Sequence, residues 1–323
     1  MRGVILAAGF GTRLWPLTIE WAKAAIPFLG RPLISYSIDY LRKFDITDLI
    51  INLHHQSDTI REAVSPYLSS GINIHFSEEP EILGTGGALD NVRHRLEDET
   101  FVVINGKIIT DIDLASVIQT HRARGALATL VLQLNTKLEK FSQVDIDSTG
   151  RIIRFGGFPE REEGLSSGGP SEPPLMFTGI QVIEPEIFDY IPPGKFSHTT
   201  AEVYPKAMAE GRLILGYIAT GAWFELSTLE RYLNISLEFL RRQGQNYFCD
   251  VGSVIEPSAR VTESVVWRHA RICAGARLHR CIIGDDVIIP SGAEFEQAVI
   301  VRAALCPNPE RGDLIGDNLV VRF

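Results

Sequence analysis

The sequence predicts an α/β protein: a mostly parallel sheet with helices on both faces, followed by a short parallel β-helix. Up to about residue 220, apolar strand-like runs alternate with helix-like stretches. In the last quarter of the chain, apolar residues instead recur every 17 residues. A helix-like segment, Thr228–Arg242, joins the two patterns. We therefore expect two domains, residues 1–243 and residues 244–323.

The first domain is predicted to contain a parallel sheet. Its strand-like runs are Gly3–Leu6, Leu49–Leu53, Ile72–Phe76, Phe101–Asn105 and Leu127–Leu134. Helix-like stretches such as Pro32–Arg42 and Leu114–Arg124 separate them, as is typical of strands paired in parallel. Such sheets bind ligands at the carboxyl ends of their strands, which is where Gly9–Arg13 and Gly106 fall.

The second domain carries the repeat. Three sets of aliphatic or aromatic residues keep a spacing of 17: Ile255, Ile272 and Ile289; Val261, Leu278 and Phe295; Val266, Ile283 and Ile300. Steps of five or six residues between inward apolar side chains are the signature of a parallel β-helix. The sequence therefore predicts about three coils, whose flat faces suit contacts between subunits.

Composition and charge exclude several classes of function. The net charge of −9 argues against broad binding to nucleic acid or to an anionic membrane. No apolar run approaches the length of a membrane span, and the N-terminus lacks the pattern of a signal peptide. The four cysteines match no zinc or redox spacing, so we expect buried free thiols and a cytoplasmic protein.

Several conspicuous residues have ordinary structural explanations. Glu160–Pro174 is rich in Gly, Ser and Pro, and a surface loop is favoured over a lid. His54 and His55 are adjacent on or after a strand, where side chains point to opposite faces, so a structural role is favoured over a metal pair. His198 and Glu202 have no assigned role, and Glu79 could equally be a surface acid.

The segment that follows the first strand carries the clearest chemistry. Small residues (Ala7, Ala8, Gly9) lead into Gly11, Thr12 and Arg13, and Lys23 follows ten residues later. Small residues allow a ligand close to the backbone, and bare N–H groups in such a turn attract anions. Arg13 and Lys23 add two positive charges. The segment is therefore suited to binding a polyphosphate, although it matches neither G-x-G-x-x-G nor a P-loop.

This segment resembles the signature of the sugar-1-phosphate nucleotidyltransferases. The signature G-x-G-T-R-L-x-P-L-T is matched at every specified position by Gly9–Thr18, whereas the P-K-P that follows it is Ala22-Lys23-Ala24 here. Further motifs are similar to the family's nucleotide-base loop (Leu83–Leu89, preceded by Glu79), its N-G-D turn (Asn105-Gly106) and its sugar-contacting strand (Phe177–Ile180). Trp223–Thr228 resembles W-F-D-I-G-T. Mannose-1-phosphate guanylyltransferases look closest in overall build.

The resemblance implies a fold, a reaction and a set of site residues. The fold is a Rossmann-like nucleotidyltransferase domain plus a left-handed β-helix. The reaction joins an NTP, with GTP favoured, to a sugar 1-phosphate and releases pyrophosphate. Arg13 would steady the pyrophosphate, and Lys23 would bind the α-phosphate and the sugar phosphate. The implied nucleotide-binding residues are Leu6, Ala7, Ala8, Gly9, Gly11, Thr12, Glu79, Gly84, Thr85, Gly86, Asn105 and Gly106. The sugar-phosphate side is implied at Lys107, Ser142 and Gly179.

The metal site departs from the family. Mg²⁺ is expected for these enzymes, but the aspartate of N-G-D is Lys107 here and the aspartate of W-F-D is Glu225. An ammonium group cannot ligate Mg²⁺, whereas a longer carboxylate still can. The family's sugar-binding E-K-P is likewise replaced, by Gly157-Phe158-Pro159.

Three interpretations of Lys107 remain open from the sequence. Its ammonium could replace the metal between the phosphates, which would give an active enzyme with altered metal dependence. The site could bind a nucleotide sugar without turnover, as a regulatory paralogue that assembles with an active one. Asp111 or Asp113 could supply the missing ligand, which we rank lowest. An acyltransferase built on the β-helix is a weaker hypothesis, because it leaves the phosphate-binding segment unexplained.

Overall fold

A computed structural model describes residues 1–138, 141–156 and 173–323. Its α-helices are α1 (Leu33–Arg42), α2 (Ser57–Val64), α3 (Gly84–Asp90), α4 (Arg93–Leu96), α5 (Leu114–Arg124), α6 (Tyr204–Ala209) and α7 (Leu229–Arg242). Short 3₁₀ turns lie at Thr12–Leu14, Lys23–Ala25, Ser65–Tyr67, Pro185–Asp189 and Ala303–Leu305, and a π-turn lies at Thr199–Val203.

The strands of the first three quarters of the chain are β1 (Gly3–Leu6), β2 (Pro27–Phe28), β3 (Arg31–Pro32), β4 (Asp48–Leu53), β5 (Asn73–Glu78), β6 (Phe101–Asn105), β7 (Ile108–Thr110), β8 (Ala128–Leu134), β9 (Gln143–Ile146), β10 (Ile152–Phe155), β11 (Leu175–Ile183), β12 (Ile214–Ile218) and β13 (Trp223–Glu225). Those of the last quarter are β14 (Phe248–Cys249), β15 (Val254–Ile255), β16 (Arg260–Thr262), β17 (Val265–Val266), β18 (Arg271–Ile272), β19 (Arg277–His279), β20 (Ile282–Ile283), β21 (Ile288–Ile289), β22 (Glu294–Glu296), β23 (Ala298–Arg302), β24 (Asp313–Ile315) and β25 (Asn318–Arg322).

The chain divides into two compact units. The first unit comprises residues 1–8, 36–54 and 64–223, and the second comprises residues 9–35, 55–63 and 224–323. The segment that carries the nucleotidyltransferase signature thus belongs to the same unit as the β-helix. The two compact units do not follow the domain boundary that the sequence predicts at residue 243. That boundary stays a prediction.

The first unit is built on one large sheet. Its central strands run in the order β6-β1-β4-β5 and pair in parallel, as do β8 and β12. Strand β11 pairs antiparallel with β6, β8 and β9 and continues the sheet on one side. The central strands are apolar on both faces because both are covered; Ile5, Ile51 and Ile104 are fully buried. The predicted mostly parallel sheet with helices is confirmed.

The second unit contains the β-helix. Stacked parallel sheets are formed by β14-β17-β20-β23, by β15-β18-β21 and by β16-β19-β22. Each predicted set of 17-spaced residues is in register: Ile255 with Ile272 and Ile289, Val261 with Leu278 and Phe295, and Val266 with Ile283 and Ile300. The arrangement fits the predicted left-handed β-helix. Strands β25 and β24 add an antiparallel hairpin beside β23.

Turns repeat with the same period as the strands. Gly252, His269 and Asp286 all have positive φ, between 56° and 79°, and are 17 residues apart. Glu263, Arg280 and Gln297 form a second such set, with φ between 45° and 55°. The coil corners therefore impose a left-handed backbone on residues other than glycine, which the stacked ladders stabilise.

Helix α7 lies in the second unit and begins as the sequence predicts. Thr228 is its N-cap, and its Oγ1 accepts a hydrogen bond from the backbone N–H of Arg231 at 3.2 Å. Tyr232, Leu233 and Leu240 line its buried face. All four cysteines carry free thiols, as expected, but only Cys281 is buried; Cys249, Cys273 and Cys306 are partly exposed. Among the residues that the structure describes, no helix is long and apolar enough to cross a membrane.

Candidate active site

In the first unit, three strand ends bring polar groups to one edge of the sheet. Leu6 of β1 pairs with Asn52 of β4 on one side and with Asn105 of β6 on the other. The N–H of Gly106 donates to Leu6 O at 2.9 Å, which extends this edge beyond β6. The structure thus brings together Leu6, Asn105 and Gly106, three residues that the sequence assigned to nucleotide binding.

A buried hydrogen-bond chain runs along this edge. The N–H of Ala7 donates to Asn52 Oδ1 at 2.6 Å, and Asn52 Nδ2 donates to Glu79 Oε1 at 2.7 Å. The other carboxylate oxygen of Glu79 accepts from the N–H of Leu83 at 3.0 Å. Glu79 is only 3% exposed, so it is not a surface acid. It links the end of β1 to the loop that begins α3.

Asn52 is the residue of this chain that sequence reasoning missed. A polar residue near the end of the apolar run Leu49–Leu53 was the available signal. Its amide is 6% exposed and bonds on both sides, so it orients Glu79. The same contact occupies the N–H of Ala7, which is therefore committed to Asn52 Oδ1 and is not directed at a ligand in this conformation.

The glycines of the predicted nucleotide-base loop are required by close backbone approach. A Cβ on Gly84, whose φ is +73°, would lie 2.4 Å from Ser197 O, and one on Gly86 would lie 2.5 Å from Ser197 Oγ. The N–H of Gly86 donates to Ser197 O at 2.8 Å, and the hydroxyl of Thr85 lies 3.0 Å from Thr199 Oγ1. These glycines therefore seat the loop on residues 197–199.

Gly179 and Asn105 are also brought together. Gly179 has a φ of +82° and lies where β11 shifts register against β8. A Cβ there would lie 2.2 Å from Asn105 Nδ2, so a larger residue would displace the asparagine amide as well as strain the backbone. Lys107, two residues beyond Asn105, is half-buried.

The described residues do not fit the metal site of the family. By resemblance, Lys107 stands where the N-G-D motif has its aspartate, and an ammonium has no lone pair to donate. Asp113 is the N-cap of α5: its carboxylate accepts from the N–H groups of Ala115 and Ser116 and from the Ser116 hydroxyl. These hydrogen bonds, led by that of the hydroxyl, lower the pKa of Asp113.

Asp111 is engaged as well. Its Oδ1 accepts from the N–H of Ala222 at 2.5 Å. Within residues 1–138, 141–156 and 173–323, no group of three or more His, Cys, Asp or Glu side chains is placed to hold a metal ion. The interpretation in which Asp111 or Asp113 replaces the missing ligand is therefore disfavoured.

In the second unit, the signature segment folds into two tight turns. Thr12–Leu14 forms a 3₁₀ turn preceded by Gly11, whose φ is +67°. A Cβ on Gly11 would lie 2.9 Å from the Cβ of Lys23 and 2.8 Å from Thr18 Cγ2. Thr18 Oγ1 donates to Gly11 O at 3.3 Å. The glycine turn and the lysine ten residues later therefore lie in contact.

The charged groups of this segment are accessible to a ligand. Gly9, Thr12 and Arg13 are exposed, and Lys23 is half-buried. Arg13 and Thr12 line a cavity of about 480 Å³, together with Trp15 and residues of the C-terminal hairpin. This arrangement offers cationic side chains and a glycine turn on one surface, which is what polyphosphate binding requires.

The remaining predicted residues have varied surroundings. Glu225 is 6% exposed, in the second unit, and Ser142 is exposed, in the first. His54 Nδ1 donates to Glu79 O at 2.7 Å, and His55 Nε2 donates to Thr18 O at 3.2 Å, so each ring bonds to a backbone carbonyl. Gly157-Phe158-Pro159 lies outside the described residues, as does the predicted loop Glu160–Pro174 apart from its last two residues.

Comparisons with known proteins identify relatives of this chain. The chain is 28% identical over 308 residues to a mannose-1-phosphate guanylyltransferase of Mycobacterium tuberculosis, covering 91% of this chain and 82% of that protein. It is 29% identical over 259 residues to a UTP–glucose-1-phosphate uridylyltransferase of Synechocystis, covering 76% of this chain and 65% of that protein.

Solved structures show the same fold. A putative glucose-1-phosphate thymidylyltransferase from Bacillus anthracis superposes with a TM-score of 0.61 at 22% identity, covering 73% of this chain and 95% of that one.

The family model described as nucleotidyl transferase matches residues 2–254. That match spans the signature segment, the Gly84 loop, the Asn105-Gly106 turn and Glu225. The chain therefore belongs to the nucleotidyl transferase family, as the signature predicts.

Proposed function

We propose that the protein transfers a nucleotidyl group from an NTP to a sugar 1-phosphate, with GTP and mannose 1-phosphate as the preferred pair. The observation that carries the proposal is the signature segment, matched at every specified position and folded so that Gly11 contacts Lys23. A relative named mannose-1-phosphate guanylyltransferase matches 91% of the chain, which supports the choice of substrates. A uridylyltransferase matches at similar identity, so UTP is the competing nucleotide.

The reaction needs no protein nucleophile. An oxygen of the sugar phosphate attacks the α-phosphorus in line, and the bond to the β-phosphate oxygen breaks to release pyrophosphate. Catalysis then depends on positioning and on neutralising charge. By resemblance, Arg13 steadies the departing pyrophosphate, and Lys23 binds the α-phosphate and the sugar phosphate. The exposed side chain of Arg13 and the tight turn before it support this assignment.

The resemblance assigns nucleotide-binding residues in each of the two units, and we propose each set separately. In the signature segment these are Gly9, Gly11 and Thr12. In the first unit they are Leu6, Ala7, Ala8, Glu79, Gly84, Thr85, Gly86, Asn105 and Gly106. The sugar phosphate is assigned to Lys107, Ser142 and Gly179. The Asn52–Glu79–Leu83 hydrogen bonds support the first-unit set, because they fix the loop at Gly84 against the end of β1.

Lys107 is proposed to contribute a positive charge where the N-G-D motif of the resembling family has an aspartate. Its ammonium would neutralise phosphate charge without the divalent ion, although one flexible lysine replaces a compact divalent charge poorly. We therefore expect a slow enzyme whose rate depends weakly on Mg²⁺. Glu225 is proposed as a residual oxygen ligand.

The same lysine favours a second candidate function. A protein that binds a nucleotide or nucleotide sugar without turnover would retain Arg13 and Lys23 and tolerate the loss of the aspartate. Such a protein would act as a regulatory paralogue within a complex. Binding and turnover must therefore be measured separately.

The test is a substrate panel. Purified protein is incubated with each NTP and a set of hexose 1-phosphates, in Mg²⁺, in Mn²⁺ and in EDTA, and pyrophosphate release is followed. We expect release with GTP and mannose 1-phosphate above all other pairs, and its loss in an Arg13→Ala variant. No release with any pair, alongside calorimetric binding of GTP, contradicts the transferase proposal and supports the regulatory one.

We also propose that the protein self-associates through the β-helix. On the β16-β19-β22 face, exposed side chains form the ladders Arg260–Arg277–Glu294 and Thr262–His279–Glu296. One end of the face is thus basic and the other acidic, so two copies in antiparallel orientation oppose unlike charges. Light scattering should give a multiple of the 35.8 kDa chain mass that falls in an Arg277→Glu variant. A monomeric wild-type protein contradicts this proposal.

The cytoplasmic location stays a prediction.

A further inference from the structure

The signature segment packs within the same compact unit as the C-terminal β-helix. Three arginines from the β-helix and its C-terminal hairpin contact the stretch that joins Arg13 to Lys23. Arg302 Nη2 donates to Glu20 Oε1 at 2.5 Å, across a separation of 282 residues. The guanidinium of Arg268 lies 5.0 Å from the centroid of the Trp21 ring.

The third arginine lies nearest to the glycine turn. The guanidinium of Arg311 lies 4.8 Å from the centroid of the Trp15 ring, two residues beyond Arg13. Cation–π contacts of this kind are attractive when the charge lies over the ring within about 6 Å. The cavity that Arg13 lines is also lined by residues Arg311–Asp313 and Val320–Phe323 of the C-terminal hairpin region. The C-terminal hairpin therefore forms part of the surroundings of the proposed pyrophosphate-binding arginine.

A buried hydrogen-bond chain holds the backbone at Pro27, just beyond Lys23. Trp267 Nε1 donates to the hydroxyl of Tyr232 at 3.0 Å, and that hydroxyl donates to Pro27 O at 2.5 Å. Trp267, from the coil between β17 and β18, is 2% exposed, and Tyr232 is fully buried. Pro27 follows the 3₁₀ turn that begins at Lys23. Arginine contacts therefore hold the chain before Lys23, and helix α7, itself bonded to Trp267 of the β-helix, holds the chain after Lys23.

The arginines are themselves anchored. The backbone N–H of Arg268 donates to Asp285 Oδ1 at 3.0 Å, and the Arg268 guanidinium lies 3.5 Å from Asp285 Oδ2, one coil further along. Burial raises the pKa of Glu20, while the guanidinium of Arg302 opposes that shift. Both side chains of the Glu20–Arg302 ion pair are half-buried, so the contact is partly shielded from water.

We propose that Arg268, Arg302 and Arg311 are positioning residues for the proposed reaction. They hold residues 15–21 against the β-helix, so that Arg13 and Lys23 are presented to the phosphates in a fixed geometry. This inference rests on the proposed function, because that function assigns the roles of Arg13 and Lys23. It gives the β-helix a direct part in substrate binding, beyond subunit contacts.

The test combines hydrogen exchange with nucleotide binding. The test variants are Arg268→Ala, Arg302→Gln and Arg311→Ala. The control is Arg271→Ala, because Arg271 is a β-helix arginine that pairs with Glu256 and not with residues 15–21. Amide exchange is followed by mass spectrometry in peptides covering residues 9–31. Affinity for GTP is measured by calorimetry. Peptides covering β6 verify that each variant is folded.

We expect faster exchange in residues 9–31 and about tenfold weaker GTP binding in the three variants, because small misplacements of binding groups are costly. Arg271→Ala should match the wild type in both measurements. Arg302→Lys keeps the charge opposite Glu20 and should recover most of the loss. A rate of exchange equal to that of the wild type overturns the inference, as does faster exchange with unchanged GTP affinity.

Failure of the proposed function is distinguishable from failure of this inference. If the wild type binds no GTP, the transferase and regulatory proposals both fail. Exchange in residues 9–31 then still decides whether the three arginines hold the segment.

Discussion

Replacing Gly179 by alanine tests the geometry of the first-unit site. Gly179 has a φ of +82°, and an added Cβ would lie 2.2 Å from Asn105 Nδ2 and 3.1 Å from Ile108 Cδ1. A left-handed backbone costs an alanine roughly 1–2 kcal/mol. Overpacking a filled site costs about 1–3 kcal/mol more. We therefore expect Gly179→Ala to lower the free energy of unfolding by about 3 kcal/mol.

Gly71 provides a matched control. Its φ is +81°, nearly that of Gly179, but nothing lies within 4 Å of the position of its Cβ. Gly71→Ala therefore carries only the backbone cost, roughly 1–2 kcal/mol. The difference between the two variants, about 2 kcal/mol, measures the displacement of Asn105.

The assay is urea denaturation of both variants followed in parallel, with GTP affinity as a second readout. Because Asn105 is a proposed nucleotide-binding residue, Gly179→Ala should also weaken GTP binding, whereas Gly71→Ala should leave it unchanged. Equal destabilisation by the two substitutions would refute the argument, since it would show that Asn105 does not fill the space beside Gly179.

The remaining predictions concern buried polar groups and a helix cap. Glu79→Gln should lower the free energy of unfolding by about 1–3 kcal/mol. The carboxylate of Glu79 accepts from Asn52 at one oxygen and from Leu83 at the other, whereas the glutamine amide has a single acceptor oxygen. Urea titration measures the change, and an unchanged midpoint contradicts it. Thr228→Ala should cost about 1 kcal/mol through loss of the α7 cap, and Thr228→Ser should restore it. Burial lowers the pKa of His121 below its ordinary 6.5. As the pH falls below 6.5, His121 therefore binds a proton in the unfolded chain before it does so in the folded protein. The free energy of unfolding should decline over this range. Urea midpoints between pH 5 and 7.5 should show this decline in the wild type and a shallower one in His121→Gln.

The sequence predicted those features that are written in local patterns. The 17-residue repeat determines the strand register of the β-helix, because each coil must place the same side chains inward. The signature residues Gly9–Thr18 identify the family because their order is specific. Helix α5 matches its predicted bounds, since Asp113 caps one end and Gly125, with φ +57°, terminates the other.

Other features depend on contacts that leave no local pattern. Asn52 bonds Glu79 across 27 residues, and Ser197 determines why Gly84 and Gly86 must be glycine. The pairing of Glu20 with Arg302 spans 282 residues. No spacing rule connects such positions, because tertiary packing alone brings them together. Only the structure therefore shows that the signature segment belongs to the same compact unit as the β-helix.

The most direct test of the account compares the wild type with Lys107→Asp in one assay. GDP-mannose formation from GTP and mannose 1-phosphate is measured by chromatography, in Mg²⁺ and in EDTA. The account predicts slow formation by the wild type with weak dependence on Mg²⁺, and faster, Mg²⁺-dependent formation by Lys107→Asp. Absence of product from both proteins in either condition, while GTP still binds, would contradict the claim that this chain is a nucleotidyltransferase modified at Lys107.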